Sequence, residues 1–189
     1  MTTLTEEKAA ARKAAFARRK AAHGPKVGDR AAARLLDFLQ PHAGKIVAGY
    51  WPIYSEADPR PVLHALATKG PVCLPVIEGR DQPLSFRQWK PDARMVEGPF
   101  GAMVPAEGRV LTPEVLIVPL VAFDAQLFRL GYGGGFYDRT LSGLRAGGDA
   151  LAIGFAYAAQ RSETLPTEPT DEPLDAIVTE AETHHRGAP

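Results

Sequence analysis

The sequence predicts an α/β fold in which a mainly parallel sheet carries helices on both faces, as a single three-layer domain. Apolar segments of strand length alternate along the chain with segments whose apolar residues recur at helical spacing. The longest apolar segment, residues 115–123, has no polar alternation, which is typical of a strand covered on both faces. With 189 residues, of which 45% are hydrophobic, residues 1–189 can enclose one sizeable core.

Four helices are predicted, and the first has the clearest start. Thr3 and Glu6 form a capping-box pattern, an alanine-rich segment follows, and Gly24-Pro25 ends it. This basic helix occupies most of residues 1–24. The other three helices are expected at residues 29–40, 59–68 and 136–144.

Six apolar segments are predicted as strands. They lie at residues 45–51, 72–77, 84–89, 115–123, 151–157 and 176–179. The third is expected at a sheet edge or in a hairpin. Residues 91–114 and 158–175 are predicted as loops, the first because it is rich in proline and glycine. Residues 181–189 are expected to be a frayed tail.

Composition and charge narrow the class of protein. Net charge is zero, although residues 1–30 carry a balance of +5 and residues 163–189 a balance of −6. A neutral chain is not typical of proteins that bind nucleic acid over a broad basic face, so no nucleic acid is expected. Neither a membrane-spanning segment nor a signal peptide is predicted. The single cysteine, Cys73, fits a reducing compartment, and a cytoplasmic monomer is expected.

A glycine-rich segment is the most informative part of the chain. Residues 129–138 read RLGYGGGFYD, and they follow the longest predicted strand. Nearly free of side chains, such a backbone can turn several N–H groups toward one anion, and a helix beginning near Gly135 would add its positive dipole end. Asp138, just inside that helix, could hold a divalent cation beside a phosphate. The pattern favours an enzyme that uses a nucleoside triphosphate.

The same segment has other interpretations. Glycines also serve simple tight turns, although charged residues on both sides favour a binding loop. It is not a Walker A motif, because no Lys-Ser or Lys-Thr follows. It is not the dinucleotide fingerprint either, because bulky Phe136 stands where close helix packing needs a glycine.

Charged residues elsewhere could complete a phosphate and metal site. Lys8 and Arg12 share one face of the first helix and Arg19 continues the stripe, which suits an anionic ligand or a solvated basic face. Asp138, Asp171 and Asp175 are candidate ligands for Mg²⁺, or else a first-turn acid and turn residues.

An acidic residue among aromatic side chains points to a second subsite. Glu56 ends the segment YWPIYSE at residues 50–56, next to a predicted strand end. A carboxylate beside aromatic rings suits a flat heterocycle with N–H donors, or else an aromatic pair in the core with an exposed acid. No zinc-type histidine spacing and no Gly-x-Ser-x-Gly elbow occurs, so hydrolase triads lack support.

Taken in order, these segments resemble the 5-formyltetrahydrofolate cyclo-ligase family. RLGYGGGFYD, preceded by VPLVAFD at residues 118–124, looks like the family signature. Weaker matches follow the family order across nearly the whole chain. They are the Lys8–Arg12 pair, residues 50–56, GPFGAMVP at residues 98–105, LPTEPTD at residues 165–171 and LDAIV at residues 174–178.

The resemblance implies an activity and a set of site residues. The activity is closure of 5-formyltetrahydrofolate to 5,10-methenyltetrahydrofolate. The reaction consumes ATP, requires Mg²⁺ and passes through a phosphorylated formyl group. By resemblance, ATP contacts Lys8, Arg12, Arg129, Gly131, Tyr132, Gly133, Gly134, Gly135, Phe136, Tyr137 and Asp138. Arg129 and Asp138 are also implied as catalytic, Asp138 and Asp171 as metal ligands, and Tyr54, Glu56, Trp89 and Phe100 as walls of the folate pocket.

Two departures and two alternatives remain open from the sequence. Some relatives carry a basic residue where Tyr132 stands, so one phosphate contact is absent or comes from Arg139. Ala11 stands where the family often has a leucine before the N-terminal arginine. An ATP-dependent enzyme with the same scaffold and another small substrate would share the glycine signature. A non-catalytic folate- or nucleotide-binding module would share it too, but would have no turnover.

Overall fold

A computed structural model describes residues 3–186 of the chain. Four helices are present, as predicted, and the first begins with the expected capping box of Thr3 and Glu6. The helices are α1 (Leu4–Ala22), α2 (Pro25–Leu39), α3 (Arg60–Ala67) and α4 (Phe136–Gly147). The prediction placed the start of α2 four residues late, because Pro25 begins this helix as its first residue rather than only ending α1.

Seven strands form the main sheet, in the order β11-β10-β9-β6-β1-β2-β3. They are β1 (Val47–Ala48), β2 (Val72–Val76), β3 (Ser85–Trp89), β6 (Val115–Pro119), β9 (Leu151–Phe155), β10 (Ala176–Val178) and β11 (Thr183–His185). The five inner strands are parallel, whereas β3 and β11 pair antiparallel at the two edges. The predicted α/β class with a mainly parallel sheet is therefore confirmed, including β3 as an edge strand.

Helices cover both faces of the sheet. On one face Leu35 of α2 and Leu63 of α3 pack in the same cluster as Ile117, all fully buried. On the other face Leu141 of α4 packs in a cluster with Leu116 of β6. Because successive strand residues point to opposite faces, the apolar run of β6 supplies both layers.

Two short hairpins lie outside the main sheet. Residues 91–114, predicted as loop, include the antiparallel pair β4 (Met95–Glu97) and β5 (Met103–Pro105). The predicted strand over residues 115–123 leaves the sheet after Pro119, and β7 (Ala122–Phe123) instead pairs with β8 (Arg129–Leu130). The Asp124 carboxylate closes this hairpin by accepting the backbone N–H groups of Gln126 and Phe128, both at 3.0 Å. The hairpin leads into the glycine-rich segment, which lies beyond the carboxyl ends of the parallel strands.

Two further predictions were wrong in extent. The first strand covers Val47–Ala48 instead of residues 45–51, and beyond its end the Tyr50 hydroxyl donates to the Ala57 carbonyl at 2.5 Å. The tail is not frayed from residue 181, since β11 pairs with β10 and a turn bonded through Thr179 joins the two. Residues 187–189 of that tail lie outside the described residues. Over residues 3–186, no helix combines the length and the apolar character needed to cross a membrane.

Candidate active site

A cavity of about 1160 Å³ opens beyond the carboxyl ends of β1, β2 and β6. Parallel sheets bind ligands at this edge because the loops that follow the strands meet there. The lining combines the glycine-rich segment, the start of α1, the loop after β1, the 3₁₀ turn at Pro99–Gly101 and residues 168–172. The glycine segment and the loop that carries Glu56 therefore line one cavity.

The glycine segment has the backbone that its composition predicts. Gly133 and Gly135 have φ values of 101° and 63°, which side chains disfavour. Gly135 caps α4, and no described side chain bonds to that helix start. A β-carbon at Gly135 would lie 2.7 Å from an Arg139 guanidinium nitrogen. The first residues of α4 line the cavity, and the unpaired N–H groups of a helix start suit an anion.

Two arginines hold this segment in place. Arg12 donates from Nε to the Gly131 carbonyl at 2.8 Å, and its guanidinium lies beside Gly133. Arg139 donates to the Gly134 carbonyl at 2.7 Å and stacks over Phe136 at 5.3 Å. Both line the cavity, so their charges add to the positive potential of the helix start.

Two predicted phosphate-binding cations are each paired with a predicted metal ligand. Lys8 Nζ lies 2.8 Å from Asp171 and 2.6 Å from Glu168. Arg129 Nη2 lies 2.9 Å from Asp138 Oδ1. Although burial lowers the pKa of Lys8, hydrogen bonds and charge from the two carboxylates raise it above the usual value. Lys8 is therefore a cation at neutral pH.

The carboxylates fit the requirements of Mg²⁺ in a phosphate site. Mg²⁺ in such sites takes one or two carboxylates together with phosphate oxygens and water. Asp138 and Asp171 both line the cavity, whereas Asp175 does not and instead bonds to Arg145 and to the Ala152 N–H. Within residues 3–186 no group of three or more metal-ligating side chains occurs, so phosphate oxygens would have to complete the coordination.

Glu56 lies at the inner end of the cavity, where it is only 4% exposed. Its carboxylate accepts the Ile53 N–H at 2.8 Å and the Tyr132 hydroxyl at 3.0 Å, and it lies 4.0 Å from Arg19 Nη1. Burial raises the pKa of Glu56 despite these contacts. The side chain of Tyr132, which was predicted to contact ATP, thus bonds to Glu56 in this structure.

Arg19 is a site residue that the sequence indicated only as part of a basic stripe. Its side chain is 1% exposed and donates to Ser55 Oγ at 3.2 Å, to the Leu120 carbonyl at 3.4 Å and to Tyr132 Oη at 2.9 Å. Its distance of eleven residues from Lys8 put it on the same face of α1, but nothing local showed that it would be buried.

The predicted aromatic walls separate into two groups. Tyr54 and Phe100 line the cavity, are 84% and 73% exposed, and both have positive φ values. Trp89 does not reach the cavity: it is 3% exposed and packs edge-on against His64 and Trp51. Trp51 lines the cavity in its place, with Arg60 stacked on its ring. The role predicted for Trp89 is therefore not supported, because its alternating strand position turns it into the core.

Tyr137 occupies an unusual position under the glycine segment. Its hydroxyl is buried and makes no hydrogen bond within residues 3–186. Burial raises the pKa of Tyr137 above the usual value, so the hydroxyl keeps its proton. A buried hydroxyl without a partner is a place for an ordered water or a ligand atom.

Comparisons with known proteins agree on one family. A family model described as the 5-formyltetrahydrofolate cyclo-ligase family matches residues 4–180. The 5-formyltetrahydrofolate cyclo-ligase of Escherichia coli K12 is 34% identical over 163 residues, covering 81% of this chain and 87% of that protein. The Haemophilus influenzae protein of the same name is 34% identical over 150 residues, covering 76% of this chain and 80% of that protein.

Solved structures give the same result. The 5,10-methenyltetrahydrofolate synthetase of Aquifex aeolicus superimposes with a TM-score of 0.78 at 29% identity, covering 96% of this chain and 94% of the other. The enzyme of that name from Mycoplasma pneumoniae gives a TM-score of 0.70 at 26% identity, covering 92% and 99% of the two chains. The likeness therefore covers nearly the whole chain.

Proposed function

Since this chain belongs to the 5-formyltetrahydrofolate cyclo-ligase family, whose model matches residues 4–180, we propose that it closes 5-formyltetrahydrofolate to 5,10-methenyltetrahydrofolate with ATP and Mg²⁺. The chain is accordingly a ligase that forms a C–N bond. The proposal adds the nucleotide, the metal, the intermediate and the residues that act.

One observation carries the proposal. A single cavity contains two parts. The glycine segment at the start of α4 is suited to a triphosphate, and a pocket with a buried carboxylate and exposed aromatic rings is suited to a pterin. Ring closure with ATP needs both reactants side by side, because the γ-phosphoryl group must reach the formyl oxygen directly.

In the proposed reaction the formyl oxygen attacks the γ-phosphorus and ADP leaves. The phosphorylated formyl carbon is then an electrophile, N10 attacks it and loses its proton, and phosphate departs with the original formyl oxygen. Mg²⁺, held by Asp138 and Asp171, would neutralise charge on the phosphate oxygens. Phosphoryl transfer depends mainly on positioning and on charge neutralisation, which the groups around the cradle can supply.

Each residue has a proposed part in those two steps. Arg129, Lys8 and Arg12 bind phosphate oxygens, with the two ion-paired cations released from their carboxylates when nucleotide enters. The backbone of residues 131–135 cradles the γ-phosphate at the start of α4. Glu56 accepts from N–H donors of the pterin, and Tyr54 and Phe100 lie along the ring system.

We also propose a cytoplasmic monomer. The single thiol, Cys73, is buried, and burial raises its pKa to about 12, so it is unreactive. This suits a compartment where thiols stay reduced and have no disulfide role.

An oxygen-labelling experiment tests the reaction directly. With formyl-¹⁸O substrate, ATP and Mg²⁺, the methenyl chromophore should appear and one ¹⁸O should be found in the released phosphate. Asp138→Asn should abolish both signals, whereas Asp175→Asn, which alters a carboxylate outside the cavity, should keep them. Chromophore without labelled phosphate would overturn the phosphorylated intermediate, and no ATP-dependent chromophore from wild type would overturn the activity.

A further inference from the structure

A hydrogen-bonded chain of three side chains connects the two halves of the cavity. Tyr132 belongs to the glycine segment, while Glu56 belongs to the loop that follows β1. The Tyr132 hydroxyl donates to Glu56 Oε1 at 3.0 Å, and Arg19 donates to that hydroxyl at 2.9 Å. Through one hydroxyl, the proposed nucleotide loop is therefore bonded to the proposed folate carboxylate.

The surroundings of this hydroxyl hold it in one place. The ring of Tyr132 packs against Phe16 of α1 at 5.5 Å, and the Arg19 guanidinium lies 5.6 Å from the ring centre. Arg19 is itself fixed by Ser55 and by the Leu120 carbonyl. The Tyr132 hydroxyl donates its one proton to Glu56, and Arg19 is 1% exposed, so neither is placed to bind phosphate in this arrangement.

The backbone on either side of Tyr132 belongs to the cradle. Gly131 is bonded through its carbonyl to Arg12, and Gly133 lies against the same guanidinium. A nucleotide that draws Arg12 or these peptide groups toward phosphate must also shift the base of the Tyr132 side chain. Such a shift changes how the Glu56 carboxylate is held.

We propose that Tyr132 is a positioning residue that orients Glu56 toward the folate and makes folate binding depend on the state of the nucleotide loop. Arg19 anchors the pair from α1. This inference rests on the proposed function, since it assigns Glu56 to the folate side. It gives the glycine segment a second role, carried by the side chain of Tyr132.

The Tyr132→Phe variant tests the proposal because it removes only the hydroxyl. Tyr132 is 43% exposed, so the variant is expected to fold. Its KM for 5-formyltetrahydrofolate should rise roughly tenfold, the effect of one lost hydrogen bond to a carboxylate, while its KM for MgATP changes by less than about twofold. Tyr157→Phe is the matched control, since it loses a hydroxyl contact to His23 outside the cavity and should leave both values unchanged.

Coupling between the two ligands is a readout that simple structural damage would not reproduce. The dissociation constant of a non-hydrolysable ATP analogue with Mg²⁺ should be lower in the presence of 5-formyltetrahydrofolate for wild type. In Tyr132→Phe the ratio of the two constants should move toward one. A ratio equal to that of wild type overturns the coupling, and equal losses for both ligands overturn the positioning role.

The KM for 5-formyltetrahydrofolate is expected to change with pH on the acidic side, and the pH of this change is a second readout. Glu56 faces Arg19, Tyr132, Tyr50 and Tyr137, and the hydrogen bond from Tyr132 lowers the pKa that burial has raised. In Tyr132→Phe, which lacks that bond, this change in KM should move to higher pH. An unchanged pH dependence would contradict the proposed role of the hydrogen bond. Absence of turnover in wild type would instead disprove the proposed function, because the coupling ratio is measured by binding and needs no reaction.

Discussion

Lys8 Nζ lies 2.8 Å from Asp171 Oδ2, although 163 residues separate them along the chain. The amine is proposed to bind phosphate and the carboxylate to bind Mg²⁺. The second such pair, Arg129 with Asp138, has the same character at 2.9 Å. In this state each of these four charged groups is therefore paired with a partner that it would give up to a metal–nucleotide complex.

The first prediction concerns the balance between free and metal-bound nucleotide. Asp171→Asn removes one of the two acids that compete with phosphate for Lys8, so ATP without metal should bind about threefold more tightly. MgATP should bind more weakly, because a metal ligand is lost. Titration calorimetry with and without Mg²⁺ measures both, and Glu182→Gln is the control, since that carboxylate pairs with Arg161 outside the cavity. Equal changes for both forms of nucleotide would contradict the exchange.

The second prediction concerns the left-handed backbone at the start of α4. Gly135→Ala places a methyl group at a φ of 63° and close to Arg139, so it should lower stability by about 1–2 kcal/mol. It should also weaken nucleotide binding by roughly tenfold or more, because the cradle must distort. Gly28→Ala in α2 has open space around it and should stabilise by about 0.5–1 kcal/mol. Urea unfolding and nucleotide titration check the pair, and a stable Gly135→Ala variant with normal binding would contradict the strain.

The third prediction concerns pH. Burial raises the pKa of Glu56 in the folded state above its ordinary value, so the folded protein binds the proton more tightly than the unfolded chain. The stabilising contribution of this residue is therefore full below the unfolded pKa and is lost as pH rises through the folded pKa. The free energy of unfolding of wild type minus that of Glu56→Gln should fall as pH rises from about 4 to 7. Urea midpoints across this range measure it, and a difference that rises with pH would have the wrong sign.

The fourth prediction concerns a residue behind the acidic segment. Arg145 of α4 contacts Glu172 at 2.8 Å and Asp175 at 3.0 Å, and it does not line the cavity. Since Glu172 also bonds through its backbone to Arg129 and Asp138, Arg145 helps to fix the proposed metal ligands. Arg145→Gln should raise the KM for MgATP by about threefold to tenfold, with a smaller change in kcat.

A matched ion pair provides the control for Arg145. Arg161 contacts Glu182 at 3.8 Å and is half exposed, so Arg161→Gln should change stability by less than about 1 kcal/mol and leave the KM for MgATP as it is. Steady-state kinetics of both variants test the claim. An unchanged KM in Arg145→Gln would mean that the segment is held by its backbone contacts alone.

Most helices and strands could be predicted from the sequence, because short-range interactions determine them. The capping box of Thr3 and Glu6, the apolar run of β6 and the glycines before α4 each act within a few residues, so their patterns predicted the elements correctly. The positive φ values at Gly133 and Gly135 could be predicted for the same reason, because this conformational freedom belongs to glycine itself.

Only the tertiary structure decided which charges and rings meet. Arg19 is buried by Tyr132 and the Leu120 carbonyl, more than a hundred residues away, and no local pattern tells this arginine from a solvated one. Trp51 rather than Trp89 lines the cavity, because Trp89 packs into the core against His64 and Trp51. The tail pairs as β11 because the outer edge of β10 offers backbone partners that exist only once the sheet has formed. The sequence by itself thus determined the elements and the loop chemistry, whereas contacts between distant segments, formed only in the packed chain, decided the arrangement of the site.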